Sequence, residues 1–189
     1  IERGSDLDFG APPILVTIEG RDIILAGQKN GSVYALDPAQ SGKLIWQQKP
    51  GTGGKLGGIH FSMGVDEAKG VVYVPISDKP LDILGKNPEG KPNPSLHAYD
   101  IVSGINLWST PAPDICTQDS GELLDGCHPG LSAALTITEN LVFAPSLDGH
   151  IRVFDASNGK HIWNFDTRGE FAAVNAATCL LYTSPSPRD

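Results

Sequence analysis

Apolar and variable positions alternate through short stretches of the chain that superpose on one another. Val33-Tyr34-Ala35-Leu36-Asp37, Leu96-His97-Ala98-Tyr99-Asp100 and Ile151-Arg152-Val153-Phe154-Asp155 share this alternation, and each ends in Asp. Period-two alternation is the mark of a half-buried strand. Each Asp is followed by a glycine (Gly42, Gly104, Gly159) and then by a tryptophan (Trp46, Trp108, Trp163). Strand, Asp, glycine turn and a second strand ending in Trp describe a hairpin, which predicts hairpins near residues 33–46, 96–108 and 151–163. Upstream of each lies an aliphatic run: Ile23 to Ala26, Val71 to Val74 and Leu141 to Ala144. Small-residue segments, Gly57-Gly58-Ile59 and Gly130-Leu131-Ser132, lead into the second and third units. Roughly four strands per repeat is the make-up of a propeller blade. The predicted fold is all-β, about three four-stranded blades of a β-propeller.

The tryptophans stand 62 and 55 residues apart, more than the roughly 40–50 residues of a bare blade, so insertions are expected. Asp78 to Ser95 and Pro111 to Gly126 are polar, Pro- and Gly-rich, and read as loops on a blade face. A large ring at the same place in every repeat is expected to pack between adjacent blades. Each repeat Asp is expected to cap its own tight turn through backbone hydrogen bonds.

Composition changes this picture little but excludes several functions. The net charge is −8 with no basic run, so a nucleic-acid partner is not expected. No apolar stretch reaches the roughly 18–20 residues that span a bilayer. Cys116 and Cys127 fit either a disulfide in an oxidising compartment or two reduced buried thiols. Zinc lacks a second ligand pair, and Leu124 stands where C-x-x-C-H haem attachment needs a cysteine. The run Gly51 to Gly58 fails as a dinucleotide or P-loop motif, because Leu56 occupies the position of the third glycine in one and of the Ser or Thr in the other.

The unit A-x-D-x(3)-G-x(3)-W, as in Ala98-Tyr99-Asp100 through Gly104 to Trp108, resembles the repeat of pyrroloquinoline-quinone (PQQ) propellers. Gln28-Lys29-Asn30-Gly31-Ser32-Val33-Tyr34-Ala35-Leu36-Asp37 resembles the K-N-G-x-x-Y-x-L-D signature of the PQQ-dependent alcohol dehydrogenases. Gly57-Gly58-Ile59-His60-Phe61, Val72-Tyr73-Val74-Pro75, and Leu147-Asp148-Gly149-His150 to Trp163-Asn164-Phe165-Asp166-Thr167 follow in that family's order. The segment Gly126-Cys127-His128-Pro129 is similar to the polyvinyl-alcohol-dehydrogenase type.

The resemblance implies a periplasmic, eight-bladed propeller that holds PQQ and a calcium ion, oxidises an alcohol and passes electrons to a c-type cytochrome. It places Lys29 beside the quinone oxygens, where a cation stabilises developing negative charge; a solvated turn lysine is the alternative. His60 and Phe61 stand where the family carries Asn-Trp, and His128 corresponds loosely to an aromatic near the cofactor. Both histidines could equally be hydrogen-bonded structural residues. The calcium ligands and the catalytic Asp are expected in blades preceding the Lys29-Asn30-Gly31 turn, so Asp66, Asp78, Asp114 and Asp125 are not assigned to them.

Residues 179–189, CLLYTSPSPRD, resemble the in-frame translation of a sequencing-library adapter. They are expected to be a non-native tail following a partial propeller over residues 1–178, and such an arc alone is expected to be inactive. A second family with the same repeat, non-catalytic propellers that scaffold outer-membrane protein assembly, is the rival reading.

Overall fold

In the computed structural model, residues 7–79, 92–120, 124–172 and 178–181 are described. Their regular structure is β-sheet with one short 3-10 turn, Pro38–Gln40. The first sheet contains β1 (Ile14–Ile18), β2 (Arg21–Gly27), β3 (Val33–Asp37) and β4 (Lys43–Gln48). The second contains β5 (Gly64–Asp66), β6 (Val71–Ile76), β7 (Ser95–Asp100) and β8 (Asn106–Pro111). The third contains β9 (Thr136–Ile137), β10 (Leu141–Pro145), β11 (His150–Asp155) and β12 (His161–Asp166). In each sheet, neighbours in sequence are neighbours in space and all pairs are antiparallel. These are the expected blades. A register shift recurs between the third and fourth strands, at Ala35/Leu36, Ala98/Tyr99 and Val153/Phe154, so each hairpin carries the same bulge and the same added twist.

The repeat Asp residues act as turn braces. Asp37 accepts from the Ala39 N–H at 3.0 Å, Asp100 from the Ser103 N–H at 2.7 Å and Asp155 from the Ser157 N–H at 2.8 Å. Each following glycine returns its own N–H to the Asp carbonyl at 2.9 Å and has φ between 70° and 77°, a region that suits glycine.

The blades are stapled by the tryptophans. Trp46 is 8% exposed and its indole N–H donates to the Ile101 carbonyl of the next blade at 2.8 Å. Trp108 does the same to the Ala156 carbonyl at 3.1 Å. One apolar cluster therefore joins the first and second blades (Val16, Ile23, Leu25, Trp46 with Val72, Val74, Ile76, Tyr99). Another joins the second and third (Tyr73, Leu96, Ala98 with Val142, Ala144, Phe154).

Gly57-Gly58-Ile59 and Gly130-Leu131-Ser132 lie outside the strands and precede the short strands β5 and β9. After the third blade, β13 (Gly169–Ala172) pairs antiparallel with β14 (Thr178–Leu181). Three residues of the adapter-like segment, Cys179 to Leu181, thus lie in a strand; 182–189 fall outside the described residues.

Candidate functional site

One face of the arc gathers the loops that carry chemistry. The turn from β2 to β3 and the linker from the first to the second blade are hydrogen-bonded together there. Gly54 N–H donates to the Lys29 carbonyl at 3.0 Å, Ile59 N–H to Gln28 at 3.2 Å and Gly51 N–H to Gly31 at 3.2 Å. Side chains are excluded from this contact: a Cβ at Gly53 would fall 2.4 Å from the Asn30 backbone. The glycine-rich run Gly51 to Gly58 is therefore rich in glycine for close backbone approach, not for phosphate binding.

Asp78 clamps the same linker from the second blade. Its carboxylate is 1% exposed and accepts from the N–H groups of Thr52 (3.0 Å), Gly53, Gly58 and Asn93 (3.2 Å each). Four backbone donors replace the water that a buried carboxylate gives up. This is a structural role, and sequence reasoning could not see it because the donors come from both sides of an insertion.

Lys29 occupies the tip of the turn. Its ammonium is 2.8 Å from the Asp8 carboxylate, with the lysine side chain 13% exposed and the aspartate 64% exposed. His60 adjoins it: a Cβ at Gly10 would lie 2.7 Å from the His60 carbonyl oxygen and 3.3 Å from Lys29 Cε. The His60 Nδ1 is 2.8 Å from Ser132 Oγ in the next inter-blade loop. Phe61 tilts against the His60 ring with centroids 4.6 Å apart and is 38% exposed. Lys29, His60 and Phe61 thus fall together.

His128 is placed differently. Its Nδ1 accepts the Gly130 N–H at 3.0 Å, and burial, reinforced by Lys79, pulls its pKa down to about 4. It is a neutral brace of its own loop at pH 7. That loop is also closed by a Cys116–Cys127 disulfide, with Cα atoms 5.4 Å apart.

The repeat makes a controlled comparison possible. Ser146-Leu147-Asp148-Gly149-His150 forms the same turn in the third blade as Gln28-Lys29-Asn30-Gly31-Ser32 in the first. Gly149 N–H donates to Ser146 O and Ser146 N–H to His150 O, matching Gly31 to Gln28 and Gln28 to Ser32. Asn30 and Asp148 each accept the N–H two residues on, at 2.8 and 3.1 Å. Leu147 stands in the place of Lys29. The cation that braces the third-blade turn comes instead from Arg152, which bonds both Ser146 and Asp148. Ser132 likewise stands in the repeat register of His60, a relationship the aligned segments contain but that sequence reasoning missed.

Arg152 and Asp148 were also missed. Arg152 is fully buried, paired with Asp148 and Ser146 and donating to the Pro113 carbonyl at 2.9 Å. Burial would raise the Asp148 carboxyl, but the Arg152 guanidinium and the Ser146 hydroxyl hold it below its usual range. The pair ties the linker after the second blade to the third.

A family model described as outer membrane protein assembly factor BamB, PQQ_2, matches residues 29–184. The chain belongs to the PQQ_2 family. Its sequence is 41% identical over 165 residues to a polyvinylalcohol dehydrogenase of a Pseudomonas species, covering 87% of this chain and 24% of that protein. A polyvinylalcohol dehydrogenase from Sphingopyxis is 38% identical over 167 residues, with the same coverage. The chain of this PQQ_2 member spans about a quarter of the length of these curated relatives. Among solved structures, the quinohemoprotein alcohol dehydrogenase ADHIIG of Pseudomonas putida HK5 matches with a TM-score of 0.57 at 21% identity, over 88% of this chain and 22% of that one. That likeness shows the shared propeller fold. Among the described residues, no three His, Cys, Asp or Glu side chains gather as a metal site, and no helix is long and apolar enough to cross a membrane.

Proposed function

We propose that this PQQ_2 chain is one arc of a quinoprotein dehydrogenase that oxidises an alcohol with PQQ as electron acceptor. The observation that carries this reading is Lys29: a nearly buried ammonium at the tip of a turn, beside His60 and Phe61, where the third-blade counterpart carries Leu147.

The residues present fit one edge of such a group. The Lys29 ammonium donates to the anionic Asp8 oxygen at 2.8 Å, and Asp8, being more than half exposed, can yield that place at small cost. PQQ, when bound, supplies a quinone carbonyl that takes up two electrons. Lys29 would hold an anionic oxygen there and stabilise charge as it develops, in a site where little water competes. His60, steered by Ser132, presents a ring edge fixed in orientation, and Phe61 offers an apolar face beside it. His128 is neutral and contributes by holding its loop.

Calcium, with its ligands in preceding blades, and a c-type cytochrome as acceptor complete the reading by family resemblance. A polymeric or secondary alcohol is the proposed substrate, supported by the identity to polyvinylalcohol dehydrogenases. The Cys116–Cys127 bridge favours an oxidising compartment such as the periplasm.

The scaffold reading draws on the description of the matched family model. On that reading Lys29 serves only the turn, through its pair with Asp8. The test is to recover the flanking coding sequence and assay dye-linked oxidation of polyvinyl alcohol with added PQQ. Quinone-dependent turnover is expected; a complete propeller without it, and without an acidic calcium set, would favour the scaffold.

A further inference from the structure

His60 and Ser132 meet across two linkers at one register of the repeat. Leu15, Val65 and Ile137 pair with Ile24, Val72 and Val142 at equivalent places in the three blades, and the residues standing five before them are Gly10, His60 and Ser132. Consecutive members of this set touch. A Cβ at Gly10 would lie 2.7 Å from the His60 carbonyl oxygen, and His60 Nδ1 lies 2.8 Å from Ser132 Oγ. The backbone holds the two linkers in the same way: Ile59 N–H donates to the Gln28 carbonyl and Leu131 N–H to the Ile76 carbonyl, each at 3.2 Å.

The hydroxyl decides which ring nitrogen carries the proton. Ser132 is 1% exposed, and among the described residues its Oγ has one hydrogen-bond partner, His60 Nδ1. A buried O–H that finds no acceptor loses its hydration without compensation. The Ser132 proton therefore lies on the line to Nδ1, and Nδ1 accepts it. The reverse assignment, Nδ1–H donating to Oγ, would leave the serine proton with no acceptor among the described residues. With Nδ1 accepting, the neutral ring carries its own proton on Nε2. Phe61, its ring centroid 4.6 Å from that of the imidazole, backs the ring and resists a flip that would exchange the two nitrogens.

We propose that Ser132 is a positioning residue that fixes His60 as the Nε2–H tautomer, which makes His60 a hydrogen-bond donor and not the base of the site. What the donor serves rests on the dehydrogenase reading above. The loop cluster then holds two donors, the Lys29 ammonium and the His60 ring, and both suit an oxygen that gains negative charge. The one lone pair of the imidazole is held by Ser132, which leaves none to take the proton that an alcohol gives up. The bond crosses from the linker before the second blade to the linker before the third, so the orientation of His60 depends on how those two blades are docked.

Imidazole nitrogen chemical shifts of the full chain, recorded well above the ordinary histidine pKa of about 6.5, test the tautomer without any cofactor. A His60→Gln variant assigns the signals. His60 is expected to show an accepting Nδ1 and a protonated Nε2, and Ser132→Ala is expected to move both signals because the ring loses the bond that sorts them. A protonated Nδ1 in the wild type, or shifts that Ser132→Ala leaves in place, overturns the proposal. Turnover by the complete propeller with PQQ added then separates donor from base. Gln keeps an N–H donor but offers no base, so His60→Gln is expected to stay within about threefold of the wild-type kcat/KM while His60→Leu falls about tenfold, the worth of one hydrogen bond. Equal losses of about 100-fold or more in both variants are what removal of a general base produces, and they would overturn the donor assignment. A wild-type propeller that takes up no PQQ in a fluorescence titration overturns the dehydrogenase reading and the donor role with it; the nitrogen shifts still report whether Ser132 sets the ring.

Discussion

Gly104 lies beneath the Trp46 indole so closely that a Cβ there would fall 2.6 Å from the ring. The first and second blades are held apart by the thickness of one aromatic ring resting on bare backbone, and the second and third blades repeat the arrangement with Trp108 and Gly159.

Gly104→Ala must therefore push the ring away as well as strain a backbone at φ 70°. Overpacking and the left-handed backbone together are expected to cost about 2–4 kcal/mol. Gly42→Ala, with the same backbone sign but open space above it, is expected to cost only the backbone part, about 1 kcal/mol. Urea unfolding of both variants checks this, and equal losses would remove the ring from the explanation.

Truncating the tryptophans should separate the joints in the same way. Trp46→Ala opens a cavity in the first inter-blade cluster and is expected to cost about 3–5 kcal/mol. Trp163→Ala, measured on dilute monomer, is expected to cost less than about 1 kcal/mol because half of the ring is already in water. Thermal midpoints read the difference directly.

His97 should give the fold an acid limb. It is buried between the Ser95 and Ser109 hydroxyls, each 2.8 Å from a ring nitrogen, and stacked on Tyr99. Burial draws its pKa from 6.5 to about 4, against the opposing field of Asp78. The unfolded chain then binds the proton first, so stability is intact above pH 6.5, falls between 6.5 and 4, and flattens below. The fall attributable to this residue is roughly 3 kcal/mol. Denaturation at a series of pH values should show the slope in the wild type and a shallower one in His97→Gln. An unchanged slope in that variant would assign the acid limb elsewhere.

The Cys116–Cys127 bridge closes a loop with a sequence separation of 11, which in the chain-entropy view stabilises by about 3 kcal/mol. Reduction, or the double replacement by Ala, is expected to lower the thermal midpoint by that order. Near-identical midpoints with and without reductant would mean that the loop is ordered without it.

The hairpins were legible because their signals are local: alternation, an Asp that braces the turn two or three residues on, a glycine that needs positive φ, and a tryptophan four residues later. The first strands of the second and third blades were not, since β5 and β9 span three and two residues and leave no periodicity to read. Asp78 looked like a stray acid in an insertion, and only the fold brings four backbone donors to it. Arg152 sat in an alternating run whose equivalents are Tyr34 and His97, and nothing in the sequence announced that a full charge would be buried with Asp148. Lys29 was visible through family resemblance alone. The structure adds the comparison with the third-blade turn, where Leu147 takes its place and a buried Arg152 supplies the cation.

The most direct measurement is kcat/KM for alcohol oxidation by the PQQ-reconstituted propeller that contains this arc, as wild type and as Lys29→Met. The account predicts a loss of at least about 100-fold, of the order found when a charge-stabilising donor is removed, with a loss of stability below about 1 kcal/mol, the worth of a part-exposed ion pair such as Lys29–Asp8. Lys29→Met turning over at the wild-type rate would contradict it.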